Sequence, residues 1–163
     1  MNKISHETLT EILNYDPDTG FFHWAKPRPK IRVGQRAGCL HHKGYINIEI
    51  HGKHYAAHRL AWFYMNRKWP LDQIDHINVN RSDNRICNLR EATNSQNRAN
   101  SRSANRTGFK GVSYKNWLKD NPYEAKITFN KKYIYLGCFA TAEKAHEAYV
   151  EAAIRFQGEY HRP

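Results

Sequence analysis

The chain has 163 residues and a formal net charge of +11, from 26 lysines and arginines against 15 aspartates and glutamates. We expect no membrane span, because no apolar run reaches the roughly 18 residues that one needs. We also expect no secretory signal, because no uninterrupted apolar segment follows basic residues near residue 1. Three scattered cysteines form no CxxC pair, which argues against a disulfide framework or structural zinc and fits a reducing cytosol. The excess of positive charge favours a polyanion such as DNA or RNA as the partner.

The first segment, residues 1–56, is predicted to be rich in strands. It opens with a short amphipathic helix that Ser5 caps. The basic stretch 26–32 is predicted to be an extended loop, because its two prolines exclude a regular helix; a solvated loop and a phosphate contact are both open for it. The remaining predicted elements are a turn at 16–20, a strand at 21–24, and a strand at 45–50 that enters a hairpin through His51 and Gly52.

The second segment, residues 57–102, combines helices with two strands. A helix over 57–66 is predicted to end at Trp69-Pro70, and a strand follows at 73–76. After a polar loop at 78–85, a second helix starts near Thr93, which forms a capping box with Gln96. The box places Asn97 one turn into that helix.

Four side chains of this segment form a set suited to cutting a phosphodiester: Asp75, His76, Asn88 and Asn97. The Asp75 carboxylate and the Asn97 amide oxygen are hard donors of the kind that Mg²⁺ prefers. His76 is largely neutral near pH 7 and can take a proton from water.

Residues 58–100 resemble the HNH (ββα-metal) endonucleases, in the variant common among phage and intron-encoded homing enzymes. The resemblance rests on Asp75-His76, Asn88-Leu89, Asn97 within a Thr-x-x-Gln-Asn run, and the preceding His58-Arg-Leu. It implies that Asp75 and Asn97 hold one Mg²⁺ or Mn²⁺ ion and that His76 is the general base. Asn88 would tie the loop together and orient His76. For His58 three roles are open: support of catalysis, packing under the site, and a place at a helix end.

Basic residues cluster around the end of this segment. From 92 to 119 there are six basic residues and no acidic one. If the helix of Asn97 continues to about Arg102, then Arg98 and Arg102 line one face of it. Together with Arg85, they are candidate phosphate contacts.

The third segment, residues 103–163, is predicted to contain three short strands and one helix. Apolar and polar residues alternate around Val112, Ala125 and Ile134. The helix runs from a Thr141 cap to about Gln157, and its alanine-rich stripe suits close packing against a sheet.

This third segment is similar to the APETALA-two DNA-binding domain of plant ethylene-response factors. The resemblance rests on Gly111-Val112, Trp117, Leu136-Gly137 with Phe139, and Thr141-Ala142-Glu143 leading to Ala148-Tyr149. It implies that one face of the sheet contacts the major groove. The residues that match contact positions are Lys110, Ser113, Lys115, Trp117, Lys126, Thr128 and Tyr135. Several arginines of the plant pattern are Lys or Ser here, so base specificity is not carried over.

The sequence therefore predicts an α+β chain in which a ββα-metal core cuts double-stranded DNA and a C-terminal domain anchors that DNA. The predicted function is a site-directed endonuclease of homing type that acts in the cytoplasm of a phage-infected bacterium, with no membrane association and no obligate protein partner. A catalytically inactive DNA-binding transcriptional regulator is the alternative, and an RNA-binding accessory protein is a third reading that rests on charge and aromatic content alone.

Overall fold

A computed structural model describes residues 4–101 and 105–161. The chain is α+β, and it divides into two compact units, Met1–Ala92 and Thr93–Pro163. Among the described residues, no helix is both long enough and apolar enough to cross a bilayer.

The first unit opens with a capped helix and a hairpin. Helix α1 spans His6–Ile12, and the Ser5 hydroxyl accepts a hydrogen bond from the Thr8 amide, which confirms the predicted cap. Strands β1 (Leu13–Asp16) and β2 (Phe21–Trp24) pair antiparallel across the predicted turn, and β3 (Arg36–Ala37) adds to β2.

A second sheet of the first unit consists of β4 (Cys39–Leu40), β5 (Ile46–Ile50) and β6 (Lys53–Ala56). The hairpin between β5 and β6 confirms the one predicted at His51-Gly52. Ile48 and Ile50 are fully or almost fully buried, as the alternating pattern of that strand requires.

Helix α2 spans Ala57–Asn66, as predicted, and the residue that ends it is Arg67, which precedes the predicted stop at Trp69-Pro70. Arg67 adopts the left-handed conformation, and its amide bonds to the Phe63 carbonyl. The Trp69 ring then stacks on the Phe63 ring at 4.4 Å between centroids, so the chain reverses before the proline is reached.

The last sheet of the first unit pairs β7 (Gln73–His76) with β8 (Leu89–Ala92) in antiparallel register. A 3₁₀ turn at Ile86–Asn88 leads into β8. Ile74 and Leu89 belong to the same buried core as Leu60 and Ala61 of α2, which holds this ribbon against the helix.

The second unit begins with α3 (Asn94–Ala99), followed by β9 (Val112–Tyr114), β10 (Tyr123–Phe129), β11 (Lys132–Phe139) and α4 (Ala142–Gln157). The capping box of Thr93 and Gln96 is present, as predicted. However, α3 ends at Ala99, so it does not continue towards Arg102, which lies outside the described residues.

The C-terminal sheet has the strand order β11-β10-β9 and packs on α4, as predicted. Its core joins Ala125 and Ile127 of β10 to Ala145, Tyr149 and Ala153 of the helix. The small alanines allow the helix to approach the sheet closely, and Thr141 caps the helix while Gly158 ends it.

Candidate active site

Asp75 and His76 lie side by side at the end of β7, and each is only 4% exposed. The antiparallel register sets Asp75 opposite Arg90 and His76 opposite Leu89. Adjacent strand residues point to opposite faces of a strand, so the two side chains are held by different sets of neighbours.

The Asp75 carboxylate is held by an ion pair. Nε of Arg90 donates to Oδ2 at 3.0 Å, and Nη2 lies 3.0 Å from the same oxygen. Both side chains are largely buried, so the guanidinium offsets part of the cost of taking the carboxylate out of water and fixes its orientation.

The His76 imidazole is held by an amide that the sequence did not single out. Its Nε2 lies 3.3 Å from Oδ1 of Asn84, a residue that is 2% exposed. Burial lowers the pKa of His76, and the Asn84 bond, Asp75 and Asp83 oppose that shift only in part. The ring is therefore neutral near pH 7, as a general base must be.

Asn84 was missed because nothing in one sequence distinguishes it. It lies in a polar loop with Asn78 and Asn80, and all three are ordinary turn residues. Its role depends on contacts with residues far away in the chain, which no local pattern reveals.

Asn88 ties the loop between β7 and β8 together. Its Nδ2 donates to Oδ1 of Asn78 at 3.0 Å and to the Asp83 carbonyl at 2.8 Å, and its Oδ1 accepts from the Asn78 amide. The Asn88 carbonyl also accepts from the amide of Ile77, next to His76. These bonds link both ends of the loop behind His76.

His58 lies on α2 beside the site. Its ring centroid is 5.1 Å from that of His76, in an edge-to-face arrangement, and 5.1 Å from the Tyr45 ring. Its Nδ1 is buried and has no hydrogen-bond partner within the described ranges. Burial, followed by the nearby His76 and Arg59, lowers the pKa of His58 to about 3. His58 is therefore a neutral neighbour of His76 at physiological pH.

Asn97 lies in the second unit, on the first turn of α3, and is partly exposed. Its amide donates to the Thr93 carbonyl, as expected for a residue that follows the helix cap. Its ligation of a metal ion together with Asp75 stays a prediction. Within the described residues, no group of three or more His, Cys, Asp or Glu side chains is arranged to hold a metal ion.

The predicted phosphate contacts differ in their surroundings. Arg85 forms a forked pair with Asp83, with bonds of 2.8 and 2.7 Å, and this pairing lowers the pKa of the Asp83 carboxyl to about 2. Arg98 is exposed on α3. Arg102 lies outside the described residues.

The side chain of Lys110 reaches the C-terminal end of α3. Its ammonium donates to the carbonyls of Ala99 and Ser101, where a cation also complements the helix dipole. This contact is within the second unit and gives Lys110 a structural role that the sequence did not indicate.

The polar face of the C-terminal sheet brings together most of the remaining predicted DNA contacts. Trp117 and Tyr135 are 70% and 63% exposed. Lys126 and Thr128 are exposed on β10, where Lys126 lies opposite Tyr135 of β11. Ser113 and Lys115 come from the first strand of the sheet and the turn after it.

An acidic residue, Glu124, lies on the same face as these predicted contacts. Glu124 lies 3.5 Å from Nζ of Lys115 and 3.8 Å from Nζ of Lys126, and it bonds to the Ser113 hydroxyl. Period-two alternation places Glu124 on the face of Lys126, so the pattern carried the signal. The carboxylate holds two lysines in place while it reduces the net positive charge.

Comparison with known families gave one match: residues 55–99 match the HNH endonuclease family. The matched segment includes His58, Asp75, His76, Asn88 and Asn97, and it extends across the division between the two units. The match supports an HNH nuclease domain in this part of the chain. No curated protein and no solved structure matches the chain.

Proposed function

We propose that the chain is a divalent-metal-dependent DNA endonuclease of homing type, in which His76 is the general base and the C-terminal unit anchors the DNA. The observation that carries the proposal is the buried Asp75-His76 pair, with its carboxylate oriented by Arg90 and its imidazole by Asn84. This pair lies within the segment that matches the HNH endonucleases.

The donors present suit a hard divalent ion. Asp75 supplies a buried carboxylate oriented by a guanidinium, and the proposed second ligand, Asn97, supplies an amide oxygen. Mg²⁺ is often held by only one or two protein groups, with water and phosphate oxygens completing its shell. When bound, such an ion would stabilise the negative charge of the transition state and the leaving 3′ oxygen.

His76 would act on the attacking water. Its imidazole takes a proton as the water oxygen bonds to phosphorus, and the bond between phosphorus and the 3′ oxygen breaks. Burial keeps the ring neutral and ready to accept that proton. Asn88 holds the loop behind His76 in one conformation and does not contact the reacting atoms in this proposal.

The C-terminal unit would hold the DNA through the polar face of its sheet. Exposed Trp117 and Tyr135 lie on that face with Lys115 and Lys126. Lysines contact phosphates, and aromatic side chains add apolar contact with bases and sugars. The net charge of +11 supports strong, salt-sensitive attraction to the duplex.

The metal requirement can be tested with supercoiled plasmid carrying a randomised insert library. We expect nicked or linear product with Mg²⁺ or Mn²⁺, none with EDTA, and a large loss for Asp75→Asn. Asp72→Asn is the matched control, because Asp72 is an exposed carboxylate three residues away. Cleavage that persists in EDTA, or equal activity of the two variants, would contradict the proposal.

A further inference from the structure

The hairpin of β1 and β2, Leu13–Trp24, contacts the loop that carries Asn84. The Tyr15 hydroxyl donates to the Asn84 backbone carbonyl at 2.7 Å, and Tyr15 itself is 8% exposed. Sixty-nine residues separate the two in sequence. A buried hydroxyl bonded to a backbone carbonyl fixes that peptide in place, because losing the bond would leave two buried polar groups unpaired.

Gly20, in the turn of the same hairpin, makes a second contact with this peptide. It has φ +73°, and a Cβ placed on it would lie 2.4 Å from the Arg85 nitrogen and 2.5 Å from the Asn84 carbonyl carbon. The obstacle is backbone, so no side-chain movement would relieve the clash. The hairpin and the loop therefore meet backbone to backbone.

The turn that presents Gly20 is itself well fixed. Oδ1 of Asp16 accepts from the Asp18 amide at 3.0 Å, Oδ2 accepts from the Thr19 hydroxyl at 2.7 Å, and the Gly20 amide donates to the Asp16 carbonyl. A rigid turn transmits its position to the peptide that it touches.

From this peptide the Asn84 side chain reaches the imidazole. Its Oδ1 lies 3.3 Å from Nε2 of His76, and an amide oxygen can only accept a hydrogen bond. Nε2 must therefore carry the proton, which leaves the ring lone pair on Nδ1.

We propose that Asn84 is a positioning residue that sets the tautomer of His76, and that the hairpin Leu13–Trp24 holds Asn84 for this purpose. The proposal rests on the proposed role of His76 as general base and adds that Nδ1 is the atom that receives the proton. The hairpin lies outside the segment 55–99 that matches the HNH endonucleases. The residue that orients the base is thus itself held by a part of the chain that the nuclease match does not include.

The proposed role of these contacts is separated from a purely structural one by a variant that leaves the core packing intact. The Tyr15 ring packs at 4.7 Å from Phe22 and 5.7 Å from Tyr64, so removing the whole side chain would disturb the core. Tyr15→Phe keeps the ring and removes only the hydroxyl. Tyr64→Phe is the matched control, because it removes a hydroxyl from the same aromatic cluster.

The first measurement is the tautomer of His76 in the metal-free, DNA-free full chain, by heteronuclear NMR of the ring nitrogens. We expect the wild type and Asn84→Asp, which keeps an acceptor, to hold the Nε2–H form almost exclusively. Asn84→Leu should show a mixture of both tautomers. Since neither cleavage nor metal enters this measurement, it stands even if the chain proves not to be a nuclease.

The second measurement is the division of the effect between kcat and KM for DNA cleavage. Asn84→Leu should lower kcat about tenfold or more, the range seen when a partner that orients a functional histidine is lost, with KM changed less than about twofold. Asn84→Asp should restore most of kcat. Tyr15→Phe should lower kcat about three- to tenfold, the equivalent of one hydrogen bond, and Tyr64→Phe should leave it unchanged.

Unchanged tautomer and unchanged kcat in Asn84→Leu would overturn the proposal. If that variant does not fold, Tyr15→Phe decides: a kcat loss confined to it supports the proposal, and equal kcat in both tyrosine variants overturns it. If wild-type protein does not cleave DNA at all, the proposed function fails, and the NMR result alone then decides whether Asn84 sets the tautomer.

Discussion

His76 combines burial with a partner that fixes its ring, and the two properties have separate consequences. Burial lowers the pKa of the imidazole below its ordinary value near 6.5. In our proposal, the bond to Asn84 sets which nitrogen carries the proton. A general base needs both, because it must be deprotonated and must present its lone pair to the water.

The pH dependence of cleavage should follow the pKa of His76. Below that pKa the base is protonated, so log kcat should fall by about one per pH unit as pH decreases. Since the pKa is lowered, the midpoint should lie below 6.5 and the rate should be flat above it. Single-turnover cleavage at saturating Mg²⁺ between pH 5 and pH 8 measures this profile. A rate that still rises through pH 8 would argue against His76 as the base.

The buried His58 should make the free energy of unfolding depend on pH. Its pKa is about 3 in the folded chain and near 6.5 when unfolded, so below pH 6.5 only the unfolded chain takes up this proton. The free energy of unfolding is therefore unaffected by His58 at neutral pH and decreases as pH falls from 6.5 towards 3.

Replacing this histidine with phenylalanine should remove that loss. Between pH 7 and pH 5, the free energy of unfolding of His58→Phe should improve relative to wild type by about 2 kcal/mol. Urea denaturation at the two pH values measures it, with the exposed His42→Phe as control. If the free energy of unfolding depended on pH identically in wild type and His58→Phe, His58 would be protonated equally in the folded and the unfolded chain, which would contradict the prediction.

The secondary structure elements that the sequence predicted are those with local signals. The Ser5 cap, the capping box at Thr93 and the helix from Thr141 each depend on residues within one turn of each other. The bounds of α2 were predicted correctly, but the helix ends at the left-handed Arg67, with Trp69 folded back onto Phe63, and not at the proline. The face that Arg98 and Arg102 were expected to share required α3 to continue to about Arg102, whereas α3 ends at Ala99, since charge periodicity alone does not show where a helix ends.

The residues of the candidate site likewise divide into those that the local sequence reveals and those that depend on distant contacts. Asp75, His76 and Asn88 are recognisable because their identities and spacing are local, whereas the partners that hold them are not. Asn84 depends on Tyr15, sixty-nine residues earlier. The burial of His58 against Tyr45 depends on how α2 and the second sheet pack.

At the same scale, two glycines of the second unit offer a matched test of packing between sheet and helix. Gly108 and Gly111 both have φ +75°, but only at Gly111 would a Cβ collide, 2.0 Å from Cδ2 of Tyr149. Both alanine variants carry the free-energy cost of placing a side chain at positive φ. Gly111→Ala should lose about 1–3 kcal/mol more of the free energy of unfolding, because of the clash with Tyr149. Thermal unfolding of both variants measures the difference. Equal losses would mean that α4 does not press on this turn.

At the scale of the whole molecule, different parts of the chain are proposed to cut the DNA and to hold it. The candidate site lies on a buried ribbon with its charges paired, while the proposed DNA contacts lie on an exposed sheet face with aromatic side chains. Affinity should therefore survive changes that abolish cleavage. Because the chain is strongly basic, binding should also weaken steeply as salt is raised.

The role of His76 in cutting, separate from DNA binding, is tested by measuring cleavage and binding by His76→Ala side by side. With Mg²⁺ and supercoiled plasmid, we expect His76→Ala to lose about 10²–10⁴-fold in cleavage rate while its affinity for duplex DNA stays within about twofold of wild type. His42→Ala, which removes an exposed histidine, should match the wild type in both. Cleavage by His76→Ala at the wild-type rate would contradict the account, and so would wild-type protein that binds DNA but leaves it uncut from pH 6 to 9.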